Sequence, residues 1–412
     1  MKQQEKKDNL SRRDFLKLSA SIGVGLAIGA TGMAGVNQAS LISSTTNSAT
    51  STDEQIPFYG PNQAGIITPQ QSYMYLLSMN ITSLNKHEVI TLFKDWTKFI
   101  ALSTTGRKMR TGDNPLLPPS DTGETLEHGA ARLTVTVGFG PSFFNKNGID
   151  IFGIAHKLPQ HLKDIPRMAK DKLDSSLSDG DVIIQVCAEN QQVAFHAARN
   201  LIRLATGKAS VNWLQEGFIS GAHSQDTPRN LFGFKDGTAN QLHQSTQGYD
   251  EVIWASSNEP AWMQGGTYLA YRKISMLLEV WDRSSLTDQE DTFGRYKESG
   301  APYSKNAEFD MVNTAALPLN SHVRLAKESK QLIHRRAYSY TDGIDARTGN
   351  VNAGLLFISY QKNPEKQFIP MLRMMQNQDL LNEYAVHIAS GMYACPAGLK
   401  EGQYIGQAIL EG

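Results

Sequence analysis

Two stretches decide the fold of this chain: Asp181-Val-Ile-Ile-Gln-Val-Cys-Ala188 and Gly354-Leu-Leu-Phe-Ile-Ser-Tyr-Gln361. Each is a short run of β-branched and other apolar residues, which is typical of a buried strand. Around the first run, strands and helices alternate in the order β-α-β-β-α-β, the ferredoxin-like arrangement. The second run holds the corresponding place in a looser repeat of that order. The sequence therefore predicts an α+β protein with two ferredoxin-like domains.

Apolar periodicity places the remaining elements on either side of these runs. The join between the two copies is expected around Glu216–Pro228. Further strands are predicted at Ser72–Ile81, Ala131–Phe139, Thr267–Leu277 and Leu332–Tyr340, and helices at Lys86–Leu102, Gln191–Ala205, Thr287–Tyr296 and Phe368–Gln378.

The composition excludes several classes of protein. The 412 residues include 40 Lys+Arg and 40 Asp+Glu, so no bulk charge favours a nucleic-acid partner. Two cysteines, Cys187 and Cys395, are too few for a disulfide-dense scaffold or a thiolate zinc cage. They are left either to pair in an oxidising compartment or to remain buried free thiols.

The first 39 residues read as an export signal of the twin-arginine type. Ser11-Arg12-Arg13-Asp14-Phe15-Leu16-Lys17 precedes an uncharged run rich in Gly and Ala. An uncleaved membrane anchor is the alternative, and cleavage after Ala34 or Ala39 fits equally well. Residues 40–55 follow as a flexible linker, rich in Ser and Thr over most of its length. The predicted domains are then 56–222 and 223–412, and the export route favours a cofactor bound before translocation.

Three features of the second half could carry chemistry. His322 is a single imidazole in an apolar segment predicted to be a strand, where it is either a haem ligand or a packed core histidine. Asp236 stands between glycines, where it either approaches a flat ligand or belongs to a turn. Arg335 and Arg336 alternate on a predicted strand, so one can face a pocket while the other is solvated, or both are solvated.

In combination these features resemble the dye-decolorising peroxidase family, in particular its exported deferrochelatase/peroxidase branch of bacterial iron-uptake systems. The resemblance runs from Pro57 to the C-terminus. It rests on the segments Pro57–Ile66, Arg229–Asn240 with its G-x-x-D-G motif, Ser321–Leu325, Arg335–Tyr340, Gly354–Gln361, and Leu381–Tyr384 with Ala394–Pro396. It implies two ferredoxin-like domains with b-type haem held in the C-terminal one.

The resemblance also implies a role for each matching residue. His322 is expected as the proximal ligand of the haem iron, with Asp236 and Arg335 on the opposite face as proton carrier and charge stabiliser. Further expectations are Gly237, Thr238 and Ala239 against the haem, and Glu383 as the acceptor of the proximal imidazole N–H.

The expected activity is oxidation of dyes and other reductants by hydrogen peroxide, in the service of iron acquisition from haem. Iron release from haem with the porphyrin left intact is the alternative reaction, and a haem carrier is the non-enzymatic alternative. Expected partners are haem, peroxide, a small reductant, the twin-arginine translocase, iron-uptake proteins and a second copy of the chain. Trp281, Tyr338 and Tyr340 either relay electrons or serve as packing.

Overall fold

A computed structural model describes residues 53–109, 114–220 and 227–412 of the chain. The chain divides into Met1–Ser48 and Ala49–Gly412, and all described residues belong to the second unit. The predicted signal, residues 1–39, and nearly all of the predicted linker lie outside the described residues. Within the described part, none of the helices is long and apolar enough to cross a membrane.

Nine strands are present among the described residues. Those of the first half are β1 (Tyr73–Ile81), β2 (Thr134–Phe139), β3 (Val182–Ala188) and β4 (Ala209–Phe218). Those of the second half are β5 (Thr267–Met276), β6 (His334–Arg335), β7 (Tyr338–Ile344), β8 (Val351–Gln361) and β9 (Ala385–Cys395).

The strands form two copies of one antiparallel ladder joined into a closed ring. The first half has the order β4-β1-β3-β2. The second half has the corresponding order β9-β5-β8-β7. The two halves meet at two seams, where Phe139 pairs with Ala394 and Phe218 pairs with Ser339. The short strand β6 is added to β8. The predicted two-domain α+β fold with duplicated ferredoxin-like order is confirmed.

Two long helices cover the first half. They are α1 (Lys86–Ser103) and α3 (Gln191–Leu204), and the other helices among the described residues are shorter. Asn85 and Asn190 begin them as N-caps, since each side chain accepts a backbone N–H of the first turn. The others are α2 (Pro141–Phe144), α4 (Thr246–Val252), α5 (Leu278–Trp281), α6 (Leu286–Phe293), α7 (His322–Glu328), α8 (Phe368–Gln378) and α9 (Gln407–Leu410).

Short 3₁₀ turns complete the described secondary structure. They are Ala155–Lys157, Ser175–Leu177, Thr238–His243, Ala261–Met263, Thr314–Ala316 and Leu380–Glu383. Two of them, the third and the last, carry residues of the candidate site.

The predicted elements are found within a few residues of their expected bounds, with three exceptions. Strands β4 and β9 were not located in the sequence, and β4 takes in Glu216 at the expected join. The strand predicted over Leu332–Tyr340 is two strands, β6 and β7, which pair with β8 in one register and are interrupted at Arg336 and Ala337. The third exception is the segment around His322, which begins helix α7.

Several residues for which the sequence allowed two roles are buried in the structure. Cys187 and Cys395 are free thiols with no solvent exposure. Burial raises the pKa of both thiols, so they are held protonated and unreactive. Trp281, Tyr338 and Tyr340 are at most 1% exposed, which supports packing.

Candidate active site

A tight loop between the two halves holds Asp236. Arg229 and Lys235 form an isolated antiparallel bridge, and the backbone N–H of Asp236 donates to the carbonyl of Pro228 at 2.8 Å. Gly237 follows with φ of +111°, a conformation that a side chain rarely tolerates. A β-carbon added there would meet nothing within 4 Å. The glycine therefore turns the chain sharply and leaves open space beside the carboxylate.

Arg335 lies opposite, on β6, where Ser359 of β8 pairs with it. Its Nη2 forms an ion pair with Oδ1 of Asp236, and its guanidinium carbon lies 5.8 Å from the ring centroid of Phe357. Its Nε is buried and has no hydrogen-bond partner. Burial lowers the pKa of Arg335 to about 10, which still leaves the side chain charged at neutral pH.

Asn240 fixes the backbone of Arg335, a contact that was not predicted. The backbone N–H of Arg335 donates to Oδ1 of Asn240 at 3.0 Å, and Nδ2 of Asn240 donates to the Arg335 carbonyl at 2.7 Å. The asparagine belongs to the 3₁₀ turn that begins just after Asp236. One turn therefore holds both the carboxylate and the strand that carries its partner. The only hint in the sequence is an amide four residues after Asp236.

Glu308 anchors the other end of this loop. It accepts a hydrogen bond from Oγ1 of Thr238 at 2.7 Å and pairs with Nζ of Lys235 at 2.8 Å. Although burial opposes ionisation of Glu308, these contacts lower its pKa below the ordinary value. Thr238 thus positions the loop through Glu308, and Ala239 continues the 3₁₀ turn.

The ion pair lines an open cavity of about 360 Å³. Asp236, Gly237, Asn240 and Arg335 form one side, and Leu355 of β8 contributes an apolar surface. Of the expected site residues, Asp236, Gly237 and Arg335 are brought together here. His322 is not among the residues that line this cavity.

His322 is the first residue of α7 and is held by an aspartate. Its Nδ1 lies 2.6 Å from Oδ2 of Asp379, and Oδ1 of that aspartate caps the 3₁₀ turn by accepting from the Leu381 N–H. The expectation that Glu383 accepts the imidazole N–H is wrong. Glu383 ends the 3₁₀ turn that Asp379 begins, so the N-cap residue, not the last one, faces the histidine.

The electrostatics of His322 follow from this contact. Burial alone would lower its pKa, but the charge and the hydrogen bond of Asp379 outweigh burial and raise it. The imidazole side chain is 27% exposed, whereas that of Asp379 is 4% exposed. With Nδ1 engaged, Nε2 is the ring nitrogen available to a ligand.

His322 was expected to lie in a strand, but the same region shows that it lies in a helix. Ser321 takes the extended conformation of an N-cap, and Arg324 pairs with Glu328 one turn later at 2.7 Å. Both are helix signals that the apolar residues of the segment masked. The histidine thereby gains a fixed position at a helix N-terminus.

An apolar cluster connects the histidine with the cavity. The ring of Phe293 lies 5.9 Å from that of His322, and Leu355 lines the cavity. The buried members of this cluster are Phe232, Phe234, Met276, Trp281, Phe293, Leu355 and Ala385. The second half therefore combines an aromatic wall, an imidazole and a half-buried ion pair. This combination is typical of a redox enzyme with a flat apolar cofactor.

Arg336 differs from the expected solvated arginine. It is 2% exposed, and it donates to the Thr68 carbonyl and to Oε1 of Gln71. Strand alternation does place the two arginines on opposite faces, but the second face is the interior of the ring. Arg336 therefore ties the N-terminal segment to the second half.

The chain belongs to the Dyp-type peroxidase family, a family of haem enzymes. The N-terminal domain of the family matches residues 63–219, and its C-terminal domain matches residues 227–400. The predicted family is thus confirmed over nearly all of the described chain.

Similar proteins support the same assignment. Deferrochelatase of Escherichia coli K12 is 38% identical over 377 residues, which cover 87% of this chain and 88% of that protein. Among solved structures, a DyP-type peroxidase from Streptomyces coelicolor matches with a TM-score of 0.80 and 34% identity, covering 88% and 98% of the two chains. Ferric DtpA from Streptomyces lividans matches with 0.79 and 34% identity over 88% and 98%.

Proposed function

We propose that this protein is a haem-dependent peroxidase that reduces hydrogen peroxide and oxidises dyes and similar small reductants. The observation that carries the proposal is the half-buried ion pair of Asp236 and Arg335, which lines a cavity and has an apolar wall leading to His322. A carrier needs neither an acid–base group nor a fixed cation above its ligand, so this pair favours catalysis.

The residues present fit a bound haem. His322 would hold the iron through Nε2, and Asp379 would make the imidazole a stronger electron donor by accepting from Nδ1. The Nε of Arg335 has no partner, open space lies beside Gly237, and both residues line the cavity that a ligand can fill. Haem b, when bound, supplies the iron at which peroxide accepts two electrons.

Asp236 is proposed to move the proton that cleavage of peroxide requires. Its carboxylate is within hydrogen-bond reach of Arg335 and borders open space, so a peroxide molecule can lie beside it. The carboxylate would take a proton from one peroxide oxygen and deliver it to the other, which leaves as water.

Arg335 is proposed to stabilise the negative charge that develops on the leaving oxygen. Its guanidinium remains charged despite burial, and Asn240 holds its backbone, so little reorganisation is needed.

Absorption spectra and a dye assay test this proposal. The purified protein should show a Soret band and should oxidise a dye only when peroxide is present. His322→Ala should lose the Soret band, while His156→Ala, a change of a histidine away from the cavity, should keep it. A Soret band of unchanged position and intensity in His322→Ala would refute the assignment of the iron ligand.

Iron release from haem is the second candidate, favoured by the 38% identity to proteins named deferrochelatase. In that reaction two protons replace Fe²⁺ and leave protoporphyrin intact, and Asp236 is a group able to supply protons in the same cavity. Anaerobic incubation with haem and a reductant should then yield protoporphyrin fluorescence that is lost in Asp236→Asn. Dye oxidation without any such fluorescence would leave peroxidation as the reaction.

We also propose that the chain is exported through the twin-arginine pathway after it has bound haem. The support is the Arg12–Arg13 motif and the uncharged run that follows it. Replacing both arginines with lysine should leave the haem-loaded precursor inside the cell, as fractionation would show. Unchanged export of that variant would contradict the proposal.

A further inference from the structure

A polar cluster in the first half lies on helix α3 and the loop that crosses it. His196 belongs to the helix, and Asp121 and Glu124 belong to the loop. Each of the three offers one ligand atom, and these atoms lie within 4.8 Å of one another. None of them lines the cavity that holds Asp236 and Arg335.

Two carboxylate oxygens in this cluster are buried and lack a partner. Oδ1 of Asp121 accepts from the Gly123 N–H at 2.8 Å and from Nε2 of His196 at 2.9 Å, but Oδ2 has no hydrogen bond. Oε1 of Glu124 pairs with Arg199 at 3.0 Å, but Oε2 has no hydrogen bond. The Asp121 side chain is only 9% exposed, so water does not readily satisfy its free oxygen.

Such an arrangement is costly unless something binds it. Although burial opposes ionisation, hydrogen bonds and the charge of His196 lower the pKa of both carboxyl groups. Each free oxygen is still a buried acceptor without a partner, which costs about 1–3 kcal/mol. Of the neighbouring cations, Arg199 pairs with the other oxygen of Glu124, and Lys108 donates to Thr125 and to the His128 carbonyl. A small divalent cation would satisfy both free oxygens at once.

We propose that Asp121, Glu124 and His196 form a binding site for a divalent first-row transition ion. One imidazole nitrogen and two carboxylate oxygens are a donor set that suits Zn²⁺, Fe²⁺ and Mn²⁺ better than Mg²⁺, which favours oxygen ligands alone. Water completes the coordination. Binding replaces the proton that His196 shares with Asp121, and the site fastens the loop to α3.

Contacts with α3 already fix the position of the loop, so its two carboxylates are in place before an ion binds. Nδ2 of Asn200 donates to Oγ1 of Thr122 at 2.7 Å, and Nε2 of Gln192 donates to the carbonyl of Glu124. Because these contacts flank both carboxylates, little ordering remains to be done when the ion binds. The site is therefore expected to act as a structural clamp on the first half.

Zinc titration of the chelator-treated, haem-loaded protein tests the proposal. One Zn²⁺ should bind per chain, as measured by calorimetry and by elemental analysis that counts zinc separately from iron. Manganese should bind more weakly than zinc, following the usual order of divalent affinities, and magnesium should not compete. Zinc should also raise the melting temperature.

Glu124→Gln supplies the decisive variant, since it removes the charge but keeps an oxygen for Arg199. It should weaken zinc binding at least about tenfold and abolish the zinc-dependent rise in melting temperature. Glu365→Gln is the matched control: that exposed carboxylate lies 2.8 Å from His161, but Lys163 occupies its other oxygen. It should leave zinc binding unchanged.

The zinc-binding results of the three proteins decide whether the site exists. Equal zinc stoichiometry and affinity in wild type, Glu124→Gln and Glu365→Gln would overturn the proposal, as would wild type that binds no zinc. If Glu124→Gln does not fold, Asp121→Asn serves the same comparison. The readout is zinc content and not turnover, so this result is independent of whether the protein is a peroxidase.

Discussion

The two halves of the molecule share a strand order but differ in what their connections do. In the first half, β1 leads through the 18-residue helix α1 to β2, and α3 covers the same side of the sheet. In the second half, the connection from β5 to β7 holds three short helices and β6. The candidate site lies in these connections and in the loop before β5, while the ladders of the two halves remain alike.

The difference shows where burial stabilises the fold and where it prepares chemistry. Helix α3 packs against β1, β3 and α1, and the apolar residues of both helices belong to one large buried cluster. The second half buries charged and aromatic groups in small clusters, among them Asp379 and Trp281, and it keeps Arg335 half-buried. A duplicated fold can thus keep one copy as a scaffold while the other accepts costly polar groups.

The largest effect is expected on stability, in the first half, which serves as the scaffold. Trp96 of α1 is fully buried, stacks on Phe93 and donates to the Leu201 carbonyl at 2.9 Å. Trp96→Ala should lower the free energy of unfolding by about 3–5 kcal/mol, because it leaves a cavity and an unpaired carbonyl. Denaturant unfolding measures this, and turnover per folded molecule should be unchanged.

Leu84→Ala is the control for that change. Leu84 precedes α1 and is 76% exposed, so its loss should alter the free energy of unfolding by no more than about 0.5 kcal/mol. A large loss of turnover in Trp96→Ala at full occupancy of the folded state would show that the first half is more than a scaffold.

The next effect is on catalysis in the second half. Arg335→Ala should reduce the peroxidase rate on the order of 10²–10³-fold, because the developing charge loses its fixed donor. Haem should remain bound, since the proposed iron ligand, His322, is unchanged. Arg347→Ala removes an arginine whose side chain is 90% exposed and should change nothing. Steady-state kinetics measure both variants. A wild-type peroxidase rate in Arg335→Ala would show that this residue has no part in the mechanism.

A smaller effect compares two glycines with similar local geometry. Gly237 and Gly343 both have positive φ, +111° and +77°, and an added β-carbon would meet nothing at either position. Alanine at either should cost about 1–3 kcal/mol through backbone strain. Only Gly237→Ala should also lower the peroxidase rate, because the displaced loop carries Asp236. Equal rates in the two variants would mean that the loop adjusts without moving the carboxylate.

The sequence was sufficient for the fold because its signals were periodic. Alternation and helical spacing located most elements, and the weak internal repeat indicated the duplication that the ring of strands contains. Strands β4 and β9 were not predicted because polar residues interrupt their periodicity. In β4, exposed and buried positions alternate only in the second part, and in β9 half-buried residues lie near the start.

The site was only partly predictable because its contacts join distant segments. The G-x-x-D-G motif and the paired arginines pointed to Asp236 and Arg335, which the fold does bring together. Asn240 and Asp379 gave no local signal, since each acts on a residue 57 or more positions away. Glu383 was expected from the family resemblance alone, and the sequence does not show which end of a 3₁₀ turn faces α7.

The smallest effect tests the Asp379 correction through pH. In haem-free protein, Asp379 raises the pKa of His322, so the protonated pair adds stability at low pH. That contribution is fully present below the ordinary histidine pKa of about 6.5 and is lost as pH rises through the raised value. The difference in unfolding free energy between wild type and Asp379→Asn should therefore be larger at acid pH than at alkaline pH.

Glu383→Gln is the comparison that sharpens this last prediction. If Asp379 alone holds the imidazole, Glu383→Gln should follow the wild-type pH profile, whereas Asp379→Asn should flatten it. In the haem-loaded protein, Asp379→Asn should also raise the reduction potential, because the imidazole donates less charge to the iron when its partner is neutral. A flattened profile in Glu383→Gln and none in Asp379→Asn would restore the glutamate as the partner of His322.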